Sequence, residues 1–411
     1  MKTLLISLVS DQTLPNVQLI KELKGRVTNY LFISTEAMEK KGCRKWIERA
    51  CNLNQLQILE HKIVNQFSFD DINRKLDEID FSSFQQIIVN LTGGTKIITL
   101  SAYEYFKQLG ADIYYVTGNG KEYIKIFPGR NRITKYFDQK ITIKDYLSAY
   151  GFEPRQTDSS GISADYTEYI YERFLENGFL DHFNALIQLR KKRTSGIKDL
   201  SKASAEVHDF LSFIKFAPLS DNTLTSLEIK YLTGEWLEEF IGHKIKQELN
   251  LSDEELMIGV VLNKETPTQQ VNSVSDFLGN ESNKSPDNEI DVMFIYNNKF
   301  FTVECKTSII NIIESVDNQD GSKKIKEQNI LGETSYKADY LKNRFGLFAQ
   351  SRILTLTDFY QYVNAPEKEG ERNNRKNNME DLINRCNLSN IKLIDKKMVV
   401  NNINSLSSII I

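Results

Sequence analysis

The chain has 411 residues, of which 40% are hydrophobic, so it is long enough for two or three domains with packed cores. Its 52 lysine and arginine residues nearly balance 55 aspartate and glutamate residues, and the net charge of −3 argues against a protein that coats nucleic acid non-specifically. The four scattered cysteines form no CxxC pair, which argues against a structural zinc site and fits a reducing cytoplasm. A membrane span is not expected, because no run of about 18 apolar residues occurs.

The first third of the chain alternates apolar runs with helical patterns and polar loops. The apolar runs predict strands of a buried, mostly parallel sheet, because they are nearly continuous. The clearest runs are 3–9 (TLLISLV), 30–34 (YLFIS), 86–90 (QIIVN) and 112–116 (DIYYV). Helical patterns follow, for example at 17–24 and 97–109. This β-loop-α order predicts a doubly wound α/β domain at the N-terminal end.

Two loops beyond the carboxyl ends of these strands are rich in small polar residues, and ligands of such sheets bind at that edge. In the second loop, Gly93 and Gly94 let main-chain amides approach a ligand, and Lys96 adds positive charge at a helix N-terminus. A phosphate-bearing ligand is one interpretation and an ordinary βα turn is the other, since the loop matches neither the dinucleotide nor the P-loop pattern. The candidate ligand residues are Ser10, Gln12, Thr13 and Asn16 in the first loop and Asn90, Thr92, Gly93, Gly94, Thr95 and Lys96 in the second.

Helical patterns dominate the region from 160 to 225, which we interpret as a connector. Helices are predicted at 164–193 and 197–216, and the basic run from Arg190 to Arg193 is interpreted as a solvated helix end. The predicted division of the chain is an α/β ligand-sensing domain (1–155), a helical connector (156–225) and a second α/β domain (226–411).

A helix predicted at 225–249 places three glutamates beside an apolar stripe that includes Trp236. Glu238 lies next to the stripe, so its carboxylate could point along the edge of a cleft. The alternative is that Glu235, Glu238 and Glu239 are all solvated, which is the usual situation of helix carboxylates.

The stretch 288–307 (NEIDVMFIYNNKFFTVECKT) predicts a β-hairpin with Asn297-Asn298 as its two-residue turn, because asparagine tolerates the positive φ of such a turn. In that register Asp291 opposes Glu304, and Lys306 lies one step along the same face. Two opposed carboxylates repel unless a cation lies between them, and a hard divalent ion prefers oxygen ligands. The hairpin therefore predicts a metal-dependent hydrolytic site with a lysine beside it.

Three stretches elsewhere in the second half are rich in charged and asparagine residues and are predicted to be loops, namely 264–287, 314–332 and 366–378. Between them, a helix is predicted at 336–345, with Lys337 near its start. Short strands are predicted at 351–355, 391–394 and 398–400.

Six motifs occur in the order in which one known family carries them. They are SLVSDQTLPN, NLTGGTK and ITIKDYLSAYGFE in the first half, and GEWLEEF, EIDV with VECKT, and YKADYL in the second. Together they resemble the ancillary nucleases of type III CRISPR systems, in which a CARF domain, a Rossmann-like sensor of cyclic oligoadenylate, precedes a PD-(D/E)xK nuclease domain. The resemblance covers nearly the whole chain and implies a Rossmann-like domain, a helical connector and a restriction-endonuclease-like α/β domain.

The resemblance also implies roles for individual residues of the second domain. Asp291 and Glu304 correspond to the metal-binding acids and Lys306 to the active-site lysine, which would position or deprotonate water or stabilise the oxyanion. Glu238 corresponds to the helix acid, with its two glutamate neighbours as alternatives. The carbonyl of Cys305 is a candidate further ligand of the Mn²⁺ or Mg²⁺ ion.

For the first domain, the resemblance implies that the two polar loops contact the ligand, together with Ser34 and Thr35 after the second strand. It further implies a homodimer in which one cyclic tetra-adenylate spans both sensor domains.

The function that follows is a cytoplasmic, metal-dependent endonuclease of antiviral defence, activated by cyclic oligoadenylate and acting on single-stranded DNA or RNA, with nicking of duplex DNA as a further candidate activity. One alternative is a ligand-sensing transcriptional regulator whose DNA-binding helices lie in the connector, which would leave the hairpin acids without a role. Another is a nucleotide-using enzyme built on the first domain, which the missing dinucleotide fingerprint disfavours. At the hairpin itself, the alternative is a surface ion pair between Glu289 and Lys306.

Overall fold

The computed structural model describes residues 2–129, 131–157, 161–176, 178–264, 289–317, 323–364 and 369–411. Two mixed sheets organise these residues, one in each half of the chain, and a two-stranded hairpin lies outside both. None of the helices in these ranges is long and apolar enough to cross a membrane.

Seven strands form the N-terminal sheet. They are β1 (Thr3–Leu8), β2 (Asn29–Ser34), β3 (Lys62–Ile63), β4 (Gln86–Asn90), β5 (Asp112–Val116), β6 (Glu122–Phe127) and β7 (Ile133–Tyr136). Their order is β3-β2-β1-β4-β5-β6-β7, with β3 to β5 parallel and the last two antiparallel. Every residue of β1 is buried, because a parallel strand flanked by helices has no solvated face. This arrangement confirms the predicted Rossmann-like domain.

Six helices accompany this sheet. They are α1 (Leu14–Leu23), α2 (Glu36–Lys41), α3 (Cys43–Ala50), α4 (Phe69–Asp77), α5 (Lys96–Gln108) and α6 (Ile143–Ala149). Threonine hydroxyls accept a main-chain N–H at the starts of α2, α5 and α6, which fixes where these helices begin.

Six strands form the second sheet, and two more form the separate hairpin. The sheet strands are β8 (Phe152–Gln156), β9 (Leu256–Lys264), β10 (Glu289–Tyr296), β11 (Lys299–Lys306), β14 (Ala349–Thr355) and β15 (Ile391–Ile394), and the hairpin strands are β12 (Ile310–Asp317) and β13 (Lys323–Asn329). The sheet order is β15-β14-β11-β10-β9-β8. The strands from β8 to β11 are antiparallel, and β11, β14 and β15 are parallel.

Strand β8 follows α6 directly and yet pairs with β9 in the second sheet. The predicted boundary at residue 155 therefore falls inside a strand of that sheet, and the last helix of the first sheet ends at Ala149. As a division into folding units, the ranges 1–155, 156–225 and 226–411 stay a prediction.

Eleven further helices lie in the described part of the connector and the second half. They are α7 (Ala164–Leu175), α8 (Gly178–Asp181), α9 (Phe183–Lys191), α10 (Ala205–Phe213), α11 (Ser226–Lys230), α12 (Trp236–Leu249), α13 (Leu331–Arg344), α14 (Phe359–Val363), α15 (Glu369–Leu388), α16 (Lys396–Asn401) and α17 (Leu406–Ile410). The predicted continuous helix at 164–193 is wrong, since three helices occupy it. The helix predicted at 197–216 is reduced to α10, which begins only where the Ser204 hydroxyl caps it.

Three of the other predicted elements in the second half are also wrong. Within the stretch 314–332, expected to be a loop, residues 314–317 end β12, residues 323–329 form β13 and residues 331–332 begin α13. Main-chain ladder bonds can pair strands that lack an apolar pattern. Residues 369–378, expected to be a loop, begin α15, and the strand expected at 398–400 lies in α16. Most of the loop predicted at 264–287 lies outside the described residues.

One hydrophobic core joins the two sheets. Tyr146 on α6 stacks on Phe300 of β11, with ring centroids 4.7 Å apart, and Phe345 contacts Phe300 edge-on at 5.0 Å. The Tyr146 hydroxyl donates a hydrogen bond of 2.8 Å to the carbonyl of Phe345, just beyond α13. The first sheet's last helix, α6, is therefore packed directly against β11 and the residue that follows α13.

Candidate active site and ligand-binding loops

The hairpin of β10 and β11 has the predicted two-residue turn. Asn297 and Asn298 adopt φ values of 52° and 57°, which is the left-handed region that such turns require. The register runs from Tyr296 opposite Lys299 to Val292 opposite Val303, as the two-residue loop predicts. It brings the predicted acids to one buried face.

Asp291 and Glu304 are almost completely buried on that face, with exposed fractions of 5% and 2%. Asp291 Oδ2 accepts hydrogen bonds from the main-chain N–H of Cys305 at 2.7 Å and from Lys306 Nζ at 3.0 Å. Lys306 Nζ is also 3.6 Å from Glu304 Oε2. The lysine thus lies between the two acids, and these ion pairs replace the alternative pair with Glu289, which lines a neighbouring cleft.

A second lysine, from helix α13, reaches the same acid. Lys337 Nζ is 2.9 Å from Glu304 Oε1 and 3.0 Å from Oε2. The sequence places Lys337 near the start of a predicted helix but gives it no role, because the contact joins residues 33 positions apart. Its occurrence in YKADYL, one of the motifs that carry the family resemblance, is the only signal that points to it.

The third predicted acid, Glu238, lies near the start of α12. The chain enters this helix through a π-helical turn at Tyr231–Glu235, a local irregularity that often accompanies functional sites. Glu238 lines a cleft of about 260 Å³ together with Glu235, Glu239 and Glu289. Burial, and then the charge of Asp291, raises the pKa of Glu238 well above its usual value. Glu238 is therefore electrostatically part of the Asp291 cluster.

The electrostatics of the cluster reflect crowded acids in a buried place. Burial and the charge of Asp291 raise the pKa of Glu304 to about 7, although both lysines oppose this shift. Burial alone would lower the pKa of Lys306, but the charges of Asp291 and Glu304 raise it above its ordinary value. Lys306 is accordingly an ammonium group at neutral pH.

The donor chemistry of this site fits a hard divalent cation. Asp291 and Glu304 offer carboxylate oxygens on one face, and the ammonium groups of Lys306 and Lys337 lie against the same oxygens. Cys305 does not offer a thiolate, since burial raises its pKa well above the usual range, so only its carbonyl remains a candidate ligand. Within the described residues, no three His, Cys, Asp or Glu side chains are arranged to hold a metal ion together.

The predicted ligand loops meet at the carboxyl edge of the first sheet. Asn16 Nδ2 donates to the carbonyl of Leu8 at 2.8 Å, and Asn90 Nδ2 donates to Asn16 Oδ1 at 2.8 Å. Asn90 Oδ1 in turn accepts from the Thr92 hydroxyl at 2.6 Å. These buried amides therefore hold the loops after β1 and β4 together.

The glycine pair of the second loop is required by its geometry. A Cβ on Gly93 would lie 2.0 Å from the carbonyl oxygen of Leu8, and Gly94 has φ +78°. Thr95 then caps α5 through the N–H of Ile98, and Lys96 is exposed at the first turn of that helix. The loop thus packs closely on the end of β1 and leaves Lys96 exposed at the same edge.

The remaining predicted ligand residues have varied surroundings. Ser34 is buried, Thr35 caps α2, and the Ser10 hydroxyl donates to the carbonyl of Gln12 at 3.3 Å. Thr13 is buried and donates to the carbonyl of Ala149.

Gln12 is turned toward the second half of the chain. Its Oε1 accepts the N–H of Leu347 at 3.0 Å. The role of each loop residue in ligand binding stays a prediction.

The comparisons with known proteins agree with this geometry. Residues 4–146 match a family model described as the Card1 CARF domain. The fold matches Can2 from Sulfobacillus thermosulfidooxidans in complex with cyclic tetra-adenylate, with 19% identity and a TM-score of 0.65, over 99% of this chain and 98% of that one. It also matches protein VC1899 from Vibrio cholerae, with 17% identity and a TM-score of 0.64, over 99% and 96%. A search of curated proteins found no match. Residues 4–146 therefore resemble the Card1 CARF domain, and nearly the whole chain shares its fold with Can2 and VC1899.

Proposed function

We propose that this protein is a metal-dependent endonuclease activated by a cyclic oligoadenylate, with cyclic tetra-adenylate as the activator and single-stranded DNA or RNA as the substrate. The observation that carries the proposal is a pair of buried carboxylates on adjacent strands, Asp291 on β10 and Glu304 on β11, with Lys306 between them. Burying two acids on one hairpin is costly in desolvation and repulsion, so this arrangement is not expected of an ordinary surface hairpin.

In this proposal Asp291 and Glu304 hold the metal, with Glu238 and the Cys305 carbonyl as further candidate ligands. A bound Mn²⁺ or Mg²⁺ ion would activate water and offset charge on the phosphate. Lys306 orients the water and stabilises the negative charge that develops on the phosphate oxygens, since its hydrogen bond to Asp291 holds it as an ammonium group.

The activator is assigned to the carboxyl edge of the first sheet. The amides around Gly93 and the exposed Lys96 at the start of α5 suit the phosphates of a cyclic adenylate. The solved Can2 structure contains cyclic tetra-adenylate, which supports this ring as the ligand. We infer a cytoplasmic homodimer in which one ring spans both sensor domains.

The test is a cleavage assay with labelled single-stranded DNA and RNA and a supercoiled plasmid, in Mn²⁺ or Mg²⁺, with cyclic adenylates of several ring sizes. We expect cleavage that requires both the metal and cyclic tetra-adenylate. A protein that binds the ring and a specific duplex but never cleaves would instead be the ligand-sensing regulator. Cleavage with another ring size would correct only the identity of the activator.

A further inference from the structure

Lys337 belongs to a different element from the other charged groups of the proposed active site. Asp291, Glu304 and Lys306 all lie on one hairpin, whereas Lys337 projects from α13. Its side chain is 21% exposed, comparable to the 27% of Lys306. It is therefore partly buried at the same place and still open to solvent on one side.

The contact of Lys337 with Glu304 is different in kind from that of Lys306. Lys306 is held mainly by Asp291 at 3.0 Å and is 3.6 Å from Glu304, whereas Lys337 lies within 3.0 Å of both Glu304 oxygens. A buried carboxylate without a cation is strongly unfavourable. Lys337 is thus the principal counter-charge of Glu304, and Lys306 that of Asp291.

This contact and a metal at Glu304 compete for the same oxygens. A divalent ion would bind them at about 2.0–2.6 Å, where its charge repels an ammonium group 2.9 Å from the same atom. The four-carbon stem of lysine allows the ammonium to move away while its Cα stays in the helix. A phosphate bound at the metal would then offer this ammonium a new negatively charged partner.

We propose that Lys337 is a further catalytic residue, which holds Glu304 in the metal-free site and contacts a non-bridging oxygen of the scissile phosphate once a metal is bound. This inference rests on the proposed nuclease function. No bond is made or broken at Lys337, whose role is to stabilise charge on the phosphate with a second cation beside Lys306.

The test compares Lys337→Gln and Lys337→Arg with the matched control Lys342→Gln. Lys342 lies on the same helix but donates to the main-chain carbonyls of Ser389 and Asn390 rather than to a carboxylate. Binding of Mn²⁺ without substrate is measured by electron paramagnetic resonance, and single-turnover cleavage is measured with saturating activator and metal.

The expected result for Lys337→Gln is Mn²⁺ binding at least as tight as in the wild type, together with cleavage slowed by about 100-fold. Lys337→Arg should recover part of the rate, and Lys342→Gln should leave both measurements near wild type. Cleavage by Lys337→Gln within about 3-fold of an active wild type, or slow cleavage with weakened Mn²⁺ binding, would overturn the inference. A wild type that cleaves nothing under any of the conditions would refute the proposed function itself.

Discussion

At the scale of single residues, the acid pair of the hairpin was predictable and its partners were only partly so. Alternation and a two-asparagine turn fix which side chains share a face, so Asp291, Glu304 and Lys306 follow from local rules. The contact of Lys337 with Glu304 depends on how α13 packs on the second sheet, which no local pattern contains. Likewise, the sequence predicts Asn16 and Asn90 as ligand residues, but in the structure their side-chain amides bond to each other.

The raised pKa of Glu304 predicts a pH dependence of stability in the metal-free protein. The pKa of Glu304 is about 7 in the folded protein and 4.5 in the unfolded chain. Between these two pH values the folded protein therefore keeps a proton that the unfolded chain releases. The resulting stabilisation is present below pH 4.5 and is lost as the pH rises to 7. Glu304→Gln stays uncharged, and its free energy of unfolding should therefore fall less over that range.

Urea unfolding in the presence of a chelator, at several pH values, measures this difference. The exposed Glu254→Gln is the matched control, since it removes one carboxylate outside the cluster. If the stability of Glu304→Gln and of the wild type changed equally with pH, the raised pKa of Glu304 would be contradicted.

At the scale of elements, the second loop of the sensor depends on a close approach of two main chains. Gly93→Ala places a Cβ 2.0 Å from the Leu8 carbonyl oxygen, so β1 and the loop must separate. We expect a loss of about 1–3 kcal/mol in unfolding free energy and weaker binding of cyclic tetra-adenylate, measured by chemical unfolding and calorimetry. Gly25→Ala, where a Cβ meets nothing within 4 Å, is the control and should change little. A fully stable Gly93→Ala that binds normally would refute the steric argument.

Helix α13 connects the two sites physically. Lys337 at its first half contacts Glu304, and just beyond its end the Phe345 carbonyl and the Leu347 N–H bond to Tyr146 and Gln12 of the first half of the chain. Under the proposed function, a shift of the loop after β1 would act on the helix that carries Lys337.

Tyr146→Phe tests this connection at a residue that is neither in the acid cluster nor among the predicted ligand residues. The change keeps the ring that stacks on Phe300 and removes only the hydroxyl bonded to the Phe345 carbonyl. We expect about 1 kcal/mol of lost stability, unchanged affinity for cyclic tetra-adenylate and several-fold weaker activation of cleavage. Calorimetry and cleavage at saturating activator measure these quantities, and full activation would show that the coupling runs elsewhere.

Helix α15 shows why sequence reasoning missed some elements of the second half. The first half of α15 has no apolar periodicity, and the helix is anchored further along by Met379, Leu382 and Cys386, which pack on Ile353 and Ile391. Such a helix is defined by tertiary packing at one end rather than by its own pattern. Helix α12, in contrast, is predicted from its own apolar stripe, and only the surroundings of its acids depend on the packing of β10 beside it.

At the scale of the whole molecule, the sequence predicts two α/β units and their order, but not how closely they are joined. Strand β8 extends from the end of the sensor into the second sheet, and a single core contains Tyr146, Phe300 and Phe345. Two domains joined by a flexible linker would pass little movement from one to the other. A shared core can transmit small displacements, because packed interiors resist compression. This architecture suits a protein in which a ligand at one sheet controls chemistry at the other.

The most direct test of the central claim separates ligand binding from cleavage in one variant, Glu304→Ala. Binding of cyclic tetra-adenylate and Mn²⁺-dependent cleavage of single-stranded nucleic acid are measured side by side for the wild type, Glu304→Ala and Glu254→Ala. The account predicts equal ligand binding by all three proteins and loss of cleavage in Glu304→Ala alone. Cleavage by purified Glu304→Ala at the wild-type rate would contradict it.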